Sequence, residues 1–280
     1  MDARIDFHGM PACRLALDDG SQVIMALHGA QVLSWTPGGQ AERIYLSPDA
    51  DLSGQRPIRG GVPVIFPQFG ALGPLPRHGF ARNLAWHLEA IHSNSREGYA
   101  SARFSLCDSP ATREVWPYAF RAELTCCLSE NRLDLELEIC NTDHRAFAFT
   151  AALHTYLRVQ EVEECQLTGL HGQPYTDQTH GRSARDTAPE LTVEDEIDRL
   201  YHDLERPLLL REPGRALAIH MQGFPDAVIW NPWERKCADL DDMPPRGFRH
   251  MLCIEAAAIT RPIELPPGQD WYGRQTLVCL

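Results

Sequence analysis

Strict alternation of apolar and polar residues marks residues 132–140 as the clearest β-strand in the chain. Successive side chains of a strand point to opposite faces, so this spacing predicts a strand with one buried side. Residues 120–130 form a second β-rich run, and Asn131 separates the two, which predicts an antiparallel hairpin. The apolar face consists of Leu133, Leu135, Leu137 and Ile139, and the acidic face of Asp134, Glu136 and Glu138.

Further short runs rich in β-branched, aromatic and aliphatic residues follow along the chain, separated by turn residues. Gly29 divides residues 21–35 into two strands, and residues 190–201 are the best helix candidate, although an extended loop fits them equally well. Many short strands with almost no helical periodicity predict an all-β sandwich or barrel, and no linker interrupts them, so one domain over residues 1–280 is expected. The other predicted strands are residues 42–48, 85–91, 100–107, 147–159, 218–222, 226–233, 251–259 and 271–280.

The predicted strand 147–159 has one face that suits the floor of a cleft better than a core. That face carries small and polar side chains, among them Thr150, His154 and Tyr156. A lone histidine is more often structural than catalytic, but His154 lies in mid-strand on this polar face. His154 is therefore a candidate catalytic residue.

Residues 56–86 combine paired glycines, five prolines and several cationic side chains. Proline lacks a backbone N–H and has a fixed φ, so this stretch cannot be a helix interior or a continuous central strand. We expect short strands joined by stiff loops, with Arg59, Arg77 and Arg82 on or beside the loops. From this stretch alone, a surface loop with solvated arginines is an equal alternative.

Composition narrows the functional classes. The formal net charge of −12 disfavours nucleic acid as a partner, because such binding needs a basic surface. A local arginine cluster still suits an anionic small molecule, since charges are screened over roughly 10 Å. Nine scattered cysteines without a C-x-x-C pair indicate reduced thiols and no zinc site, and no apolar run of membrane-spanning length or secretion signal is present. A cytoplasmic protein is predicted.

Two acidic residues stand out within apolar strands. Glu255 interrupts residues 251–259, and a buried carboxylate either finds a partner or has a raised pKa. A structural salt bridge and a general base are both open for Glu255. Asp226 begins the run DAVIWNPW, where either a turn residue or a ligand-binding acid fits. The motifs of P-loop, Rossmann, zincin and hydrolase-elbow proteins are missing from the sequence.

An imidazole, a desolvated carboxylate, arginines on rigid loops and tryptophans together suit a phosphorylated sugar. Five motifs make the connection more specific, because in this order they resemble the D-hexose-6-phosphate mutarotases, a branch of the aldose 1-epimerase superfamily. The resemblance implies a galactose-mutarotase-like β-supersandwich that is monomeric and needs no cofactor or metal. The motifs are RPIRGGVPVIFPQFG, LPRHGFARNLAW, LHTYLRV, PDAVIWNPW and MLCIEAA.

The same resemblance assigns roles to particular residues. His154 matches the family's general acid and Glu255 its general base, so protonated His154 and ionised Glu255 are expected to open the sugar ring. Asp226 matches a substrate-binding acid, and a hexose 6-phosphate, above all glucose 6-phosphate, is the expected substrate. A non-catalytic sugar-phosphate or carbohydrate-binding protein and a mutarotase for unphosphorylated aldoses are the alternatives.

Four residues of the loop motifs complete the expected binding site. Arg59 and Arg82 match phosphate- or substrate-contacting positions, and His78 is expected to contact the sugar. Arg77 stands where relatives usually have glutamine or a small residue, so its role stays open.

Overall fold

The computed structural model describes residues 3–94 and 96–280, and β-strands dominate this part of the chain. Met1 and Asp2, which open the segment considered for a secretion signal, lie outside the described residues, as does Ser95; the predicted 1–280 domain includes all three. The strands, numbered in chain order, are β1 (Arg4–Phe7), β2 (Met10–Ala16), β3 (Gln22–Ala26), β4 (Val32–Thr36), β5 (Val64–Ile65), β6 (His87–Asn94), β7 (Tyr99–Cys107), β8 (Phe120–Ser129), β9 (Arg132–Asn141), β10 (Phe147–Leu153), β11 (Tyr156–Arg158), β12 (Gln166–Thr168), β13 (Pro174–Asp177), β14 (Arg182–Arg185), β15 (Ile197–Tyr201), β16 (Leu208–Glu212), β17 (Arg215–Gln222), β18 (Asp226–Asn231), β19 (Met251–Leu265) and β20 (Asp270–Cys279).

Helical segments are short. The α-helices are α1 (Pro110–Val115), which begins with a capping box at Ser109, and α2 (Trp233–Ala238). Within the described residues, no helix is long and apolar enough to cross a membrane. Three 3₁₀ turns cover Ala81–Asn83, Val162–Glu164 and Gly247–His250.

Three sheets pack around a common core. The first has the order β1-β2-β3-β4, the second β14-β13-β15-β18-β19-β10-β5 with β11 also paired to β19, and the third β12-β16-β17-β20-β9-β8-β7-β6. Each pairing between these strands is antiparallel. One hydrophobic cluster takes side chains from all three, for example Val23 and Trp35 from the first, Leu153 and Ile254 from the second, and Leu135 and Leu277 from the third.

The predicted hairpin is confirmed. Strands β8 and β9 pair from Phe120 with Asn141 to Ser129 with Arg132, and the four apolar residues of the alternating face are buried. Full burial of one leucine side chain contributes about 1.5–3 kcal/mol to folding, so this face accounts for much of the local stability. The strict alternation therefore indicates a sheet that packs one face against the hydrophobic core.

Three predicted elements differ in the structure. The single strand expected over residues 147–159 is interrupted, because β10 ends at Leu153 and β11 begins at Tyr156, so His154 lies in the break and not in mid-strand. Of the two alternatives for residues 190–201, the helix is wrong, because Ile197–Tyr201 forms strand β15 between β13 and β18, and residues 190–196 form a loop with bends and one isolated bridge at Leu191. Residues 42–48 do not form a strand, since only isolated bridges at Ile44 and Leu46 pair there. In the last two cases the neighbouring strands determine the outcome. Residues 197–201 pair with β13 and β18 on both sides, which outweighs a weak helical preference. Residues 42–48 have no continuous partner strand and stay irregular.

The proline- and glycine-rich stretch adopts the expected form. Strand β5 is two residues long and pairs with β10, and loops on either side carry the arginines. Gly60 has φ +105°, and a Cβ there would lie 2.4 Å from the carbonyl oxygen of Tyr45. Only glycine lets these two backbone segments approach so closely.

Replacing Gly79 by alanine should destabilise the protein markedly. Its φ is +67°, and an added Cβ would lie 2.2 Å from the carbonyl oxygen of Phe66, so the backbone must shift. The left-handed conformation alone costs an L-residue about 1–2 kcal/mol, and the clash adds to that. Gly98 is the matched control, because its φ is +66° and nothing lies within 4 Å of its Cβ position. Chemical denaturation should show a clearly larger loss for Gly79→Ala than for Gly98→Ala; equal losses would contradict the role of close packing.

Candidate active site

A cavity of about 640 Å³ lies on the second sheet, within the usual size range for small-molecule sites. Strands β11, β15, β18 and β19 contribute to its floor, and the loops 56–59 and 69–78 contribute to its walls. Its polar lining residues are Arg56, Arg59, Arg77, His78, Arg82, His154, Tyr156, Gln178, Asp198, Lys236, Asp242 and Glu255.

His154 stands at a break in the sheet. Strands β10 and β11 both pair with β19, and the two residues between them leave the regular ladder. The His154 backbone N–H instead donates to the carbonyl of Pro63 at 3.0 Å. In β19, Ala256 pairs with Leu153 and Cys253 with Tyr156, so Glu255 lies beside the break. The irregularity turns the imidazole toward the carboxyl group.

The two candidate catalytic groups meet in the cavity. His154 Nδ1 lies 3.3 Å from Glu255 Oε1, and both side chains are almost fully buried. The approach does not have hydrogen-bond geometry, and neither Nδ1 nor the other carboxyl oxygen, Oε2, has a hydrogen-bond partner among the described residues. A buried polar atom without a partner costs free energy, so such atoms are often found where a ligand binds. The described part of the chain also contains no salt bridge from Glu255 to an arginine, the alternative left open by the sequence.

Burial opposes the charged form of each group. It raises the pKa of Glu255 well above its usual range, as does the nearby Asp198 carboxylate, while Arg77 and Arg82 act against this rise. Burial likewise lowers the pKa of His154 well below its usual value, and electrostatic interactions with His78, Arg82 and Arg59 lower it further. The directions favour a neutral carboxylic acid beside a neutral imidazole, whereas the sequence led us to expect an ion pair.

Aromatic rings hold the His154 imidazole in place. The ring stacks on Tyr156 with centroids 4.8 Å apart and planes 9° apart, and Trp230 meets it edge-on at 6.1 Å. Tyr156 and Trp230 are themselves 5.9 Å apart. Rings locked by packing keep a catalytic group in one orientation.

The structure brings the three predicted arginines to the same cavity. Arg59 Nε donates to Asp242 Oδ1 at 3.0 Å, and its Nη1 donates to the Tyr156 hydroxyl at 3.2 Å. Arg82 Nη2 donates to the backbone carbonyl of Arg77 at 3.1 Å, while its buried Nε has no partner. Burial lowers the pKa of Arg82 to about 10, with the positive neighbours Arg59 and Arg77 contributing, so it stays cationic at neutral pH.

His78 joins this group as a neutral side chain. Its Nδ1 accepts a hydrogen bond from the Gly70 backbone N–H at 3.3 Å, which leaves Nε2 as the donor. Burial and the charges of Arg82, Arg77 and Arg59 lower its pKa to about 3. Its φ of +66° and its ring, 5.6 Å from that of His154, place it beside the proposed acid–base pair.

Asp226 does not join the other predicted site residues. It is buried at the start of β18, and its carboxylate accepts hydrogen bonds from the backbone N–H groups of Ile259 and Thr260 and from the Thr260 hydroxyl. It does not line the cavity. These bonds fix the edge between β18 and β19, so we leave Asp226 out of the proposed binding site.

Sequence reasoning missed two acids and a lysine that line the cavity. Asp198 lies on β15, within the segment predicted to be helical, and Asp242 follows α2 in a turn. Lys236, the only lysine of the chain, pairs with Glu196 at 2.8 Å. Strand β15 has no alternation of apolar and polar residues, so the sequence offered no signal for Asp198, and nothing distinguished Asp242 from its neighbour Asp241.

Replacing Asp242 by asparagine should weaken binding of a phosphorylated substrate through Arg59. Asp242 and Tyr156 raise the pKa of Arg59 against the lowering effect of burial, and Asp242 orients the guanidinium. A charge-assisted hydrogen bond contributes about 1.5–3 kcal/mol, so KM should rise about tenfold or more while kcat changes little.

Asp203→Asn is the matched control for this change. Its ion pair with Arg261 is exposed on both sides and lies outside the cavity, and such pairs contribute little. Steady-state kinetics of both variants test the assignment. A normal KM in Asp242→Asn, or equal effects of the two substitutions, would show that Asp242 does not position Arg59.

The chain is an all-β sandwich that holds an imidazole and a carboxyl group in one cavity, and its similarity to known proteins places it in the class of sugar epimerases. A family model described as aldose 1-epimerase matches residues 12–277, so the chain belongs to the aldose 1-epimerase family and is an enzyme of the isomerase class.

Individual relatives agree with this placement. The chain is 33% identical over 260 residues to a protein of Cenchrus ciliaris named "Putative glucose-6-phosphate 1-epimerase", covering 90% of this chain and 79% of the relative. A crystal structure titled "putative mutarotase" from Salmonella typhimurium superposes with a TM-score of 0.91 at 29% identity, covering 99% of this chain and 92% of the other.

The expected galactose-mutarotase-like fold is also confirmed. A galactose mutarotase related enzyme from Lactobacillus acidophilus superposes with a TM-score of 0.75 at 17% identity, covering 96% of this chain and 97% of the other.

Proposed function

We propose that the protein interconverts the α and β anomers of a hexose 6-phosphate, with glucose 6-phosphate as the expected substrate. The observation that carries this proposal is the meeting of His154 and Glu255, distant in sequence, in one cavity lined by four arginines. The name of the Cenchrus ciliaris relative supports the choice of glucose 6-phosphate.

The arginines account for the phosphate. Arg59, Arg77 and Arg82 line the cavity of a chain whose formal net charge is −12, so the positive charge is local. Guanidinium groups match the geometry of phosphate oxygens and remain charged when partly buried. A phosphate dianion held by this arginine cluster would fix one end of the sugar while C1 reaches the His154–Glu255 pair.

Ring opening can proceed as a neutral proton relay through the pair. Glu255 Oε2 takes the proton from the C1 hydroxyl, and Glu255 Oε1 passes its own proton to His154 Nδ1, 3.3 Å away. His154 Nε2 gives its proton to the ring oxygen, the C1–O5 bond breaks, and C1 becomes an aldehyde. Rotation about C1–C2 and the reverse transfer close the ring with the other configuration.

The relay suits the electrostatics of the site. Both groups begin and end neutral, so the buried pair does not have to carry separated charges, which burial disfavours. The roles expected from the sequence are kept, with Glu255 as the base toward C1 and His154 as the acid toward the ring oxygen. Two positioned groups at about 10²–10⁴-fold each suffice for a reaction that water already performs slowly.

Exchange NMR between the α and β anomers tests the proposal directly. Purified protein should accelerate anomer exchange of glucose 6-phosphate far more than that of glucose. Equal acceleration of both sugars would favour a mutarotase for unphosphorylated aldoses. Binding of glucose 6-phosphate without any acceleration would favour a non-catalytic sugar-phosphate-binding protein.

We further propose that residues 1–280 form one domain. The shared core cluster, with side chains from all three sheets, supports this organisation. The monomeric state stays a prediction, which sedimentation of the purified protein would test.

A further inference from the structure

Cys253 adds a third metal-ligating side chain to the catalytic pair. A ring nitrogen of His154, the Cys253 sulfur and a carboxyl oxygen of Glu255 all lie within 4.8 Å of one another, and all three residues are buried. Cys253 and Glu255 are two positions apart in β19, so their side chains share one face of the strand. The proposed sugar chemistry gives Cys253 no role.

Two atoms of this cluster have no partner. His154 Nδ1 and Glu255 Oε2 are buried without a hydrogen bond, and both residues line the cavity. A neutral imidazole, a thiolate and a carboxylate are the ligands that Zn²⁺ takes in proteins, and three protein ligands with one open position is a common arrangement. The thiolate also selects zinc-like cations over magnesium or calcium.

We propose that His154, Cys253 and Glu255 form an inhibitory site for a thiophilic divalent cation such as Zn²⁺. The bound ion occupies both groups needed for ring opening, so it blocks the reaction. Ion binding itself does not depend on the catalytic roles of these groups; only the inhibition rests on the proposed function.

The geometry and the charges set the strength of binding. Ligand atoms around tetrahedral zinc are about 3.5 Å apart, given bonds of about 2.0–2.3 Å, so atoms up to 4.8 Å apart must close by about 1.3 Å at most. Binding releases the protons of the Cys253 thiol and the Glu255 carboxyl group, whose pKa values burial raises, and the resulting thiolate and carboxylate balance the two charges of the ion. Arg59, Arg77 and Arg82 line the same cavity and weaken the binding of a cation by electrostatic repulsion. Substrate and ion should compete, because both need His154 and Glu255.

Cobalt(II), a spectroscopic substitute for zinc, tests binding without turnover. Added to the full-length protein, it should give a thiolate-to-cobalt charge-transfer band that excess Zn²⁺ removes. The band should be lost in Cys253→Ser and retained in Cys107→Ser, the matched control, because Cys107 is exposed and far along the chain from the cluster. Persistence of the band in Cys253→Ser, or its loss in Cys107→Ser alone, would overturn the site.

Zinc inhibition tests the consequence. Relative to the rate of each variant without metal, half-inhibition should need at least about tenfold more Zn²⁺ in Cys253→Ser, since even outer-shell substitutions cost that much in metal affinity. Cys253→Ala, which has no oxygen ligand, should behave likewise, and glucose 6-phosphate should protect competitively. Unchanged zinc sensitivity in both Cys253 variants would overturn the proposal, whereas a cobalt band in a protein without mutarotase activity would overturn the proposed function alone.

Discussion

Replacing Glu255 by glutamine is expected to slow the catalysed exchange of glucose 6-phosphate anomers by about 10²–10⁴-fold, the usual contribution of a positioned acid–base group. Glutamine keeps the size of the side chain but cannot accept the C1 proton and pass another to His154. Glu255 is buried, and its raised pKa favours the neutral carboxyl group. The fold should therefore tolerate the neutral amide of glutamine at this position. Loss of kcat with little change in KM is the expected pattern, measured by exchange NMR.

Glu264→Gln provides the matched control for this substitution. Glu264 lies on the same strand, β19, but is exposed and away from the cavity. Its variant should exchange anomers at the normal rate and show the same thermal unfolding as the unchanged protein. Normal turnover in Glu255→Gln would remove the acid–base assignment, and a matching loss in Glu264→Gln would point to a general effect on the strand.

Arg82→Met should separate recognition of the phosphate from recognition of the sugar. Arg82 is a largely buried cation with a partnerless Nε in the cavity, so an anionic ligand gains a charge-assisted bond there. Such a bond contributes about 1.5–3 kcal/mol, which corresponds to about 10- to 150-fold in kcat/KM for glucose 6-phosphate. The rate with glucose, which has no phosphate to lose, should stay nearly unchanged.

Arg103→Met is the appropriate comparison, because Arg103 is an exposed arginine on β7 outside the cavity. It removes the same charge from the protein but not from the site. Equal losses on glucose 6-phosphate and glucose in Arg82→Met would show that Arg82 supports the fold or the sugar site in general. An equal loss in Arg103→Met would mean that net charge, not the cavity, attracts the substrate.

The hydrophobic pattern predicted the third sheet better than the second. Strands β8 and β9 have one buried face and one partly exposed face, so apolar and polar residues alternate along them and the sequence predicts them clearly. Strand β19 is buried on both faces over its first nine residues, and Glu255 appeared only as an anomaly in an apolar run. Strand β15 is half-buried with a cavity on one side, and the spacing of Ile197, Leu200 and Tyr201 matches one face of a helix.

The sequence predicted cavity residues best where the motif around them restricts the backbone conformation. The glycines and prolines around residues 56–86 restrict the chain to loops, so Arg59, Arg77, His78 and Arg82 could be grouped from the sequence, and all four line the cavity. Asp226 was grouped with them by its place before a tryptophan motif, yet its carboxylate bonds the neighbouring strand.

The sequence by itself determined the all-β class, the hairpin, the loop arginines and the two unusual groups at positions 154 and 255. These are local properties, because side-chain period, proline and glycine constraints and a lone acid in an apolar run are visible within a few residues. Only the tertiary structure decided that the imidazole and the carboxyl group lie 3.3 Å apart, that both favour neutral forms, and that Asp198, Asp242 and Cys253 join them. The distances between these side chains and their burial depend on which strands pair and on which segments cover them. The local sequence pattern contains no information on either.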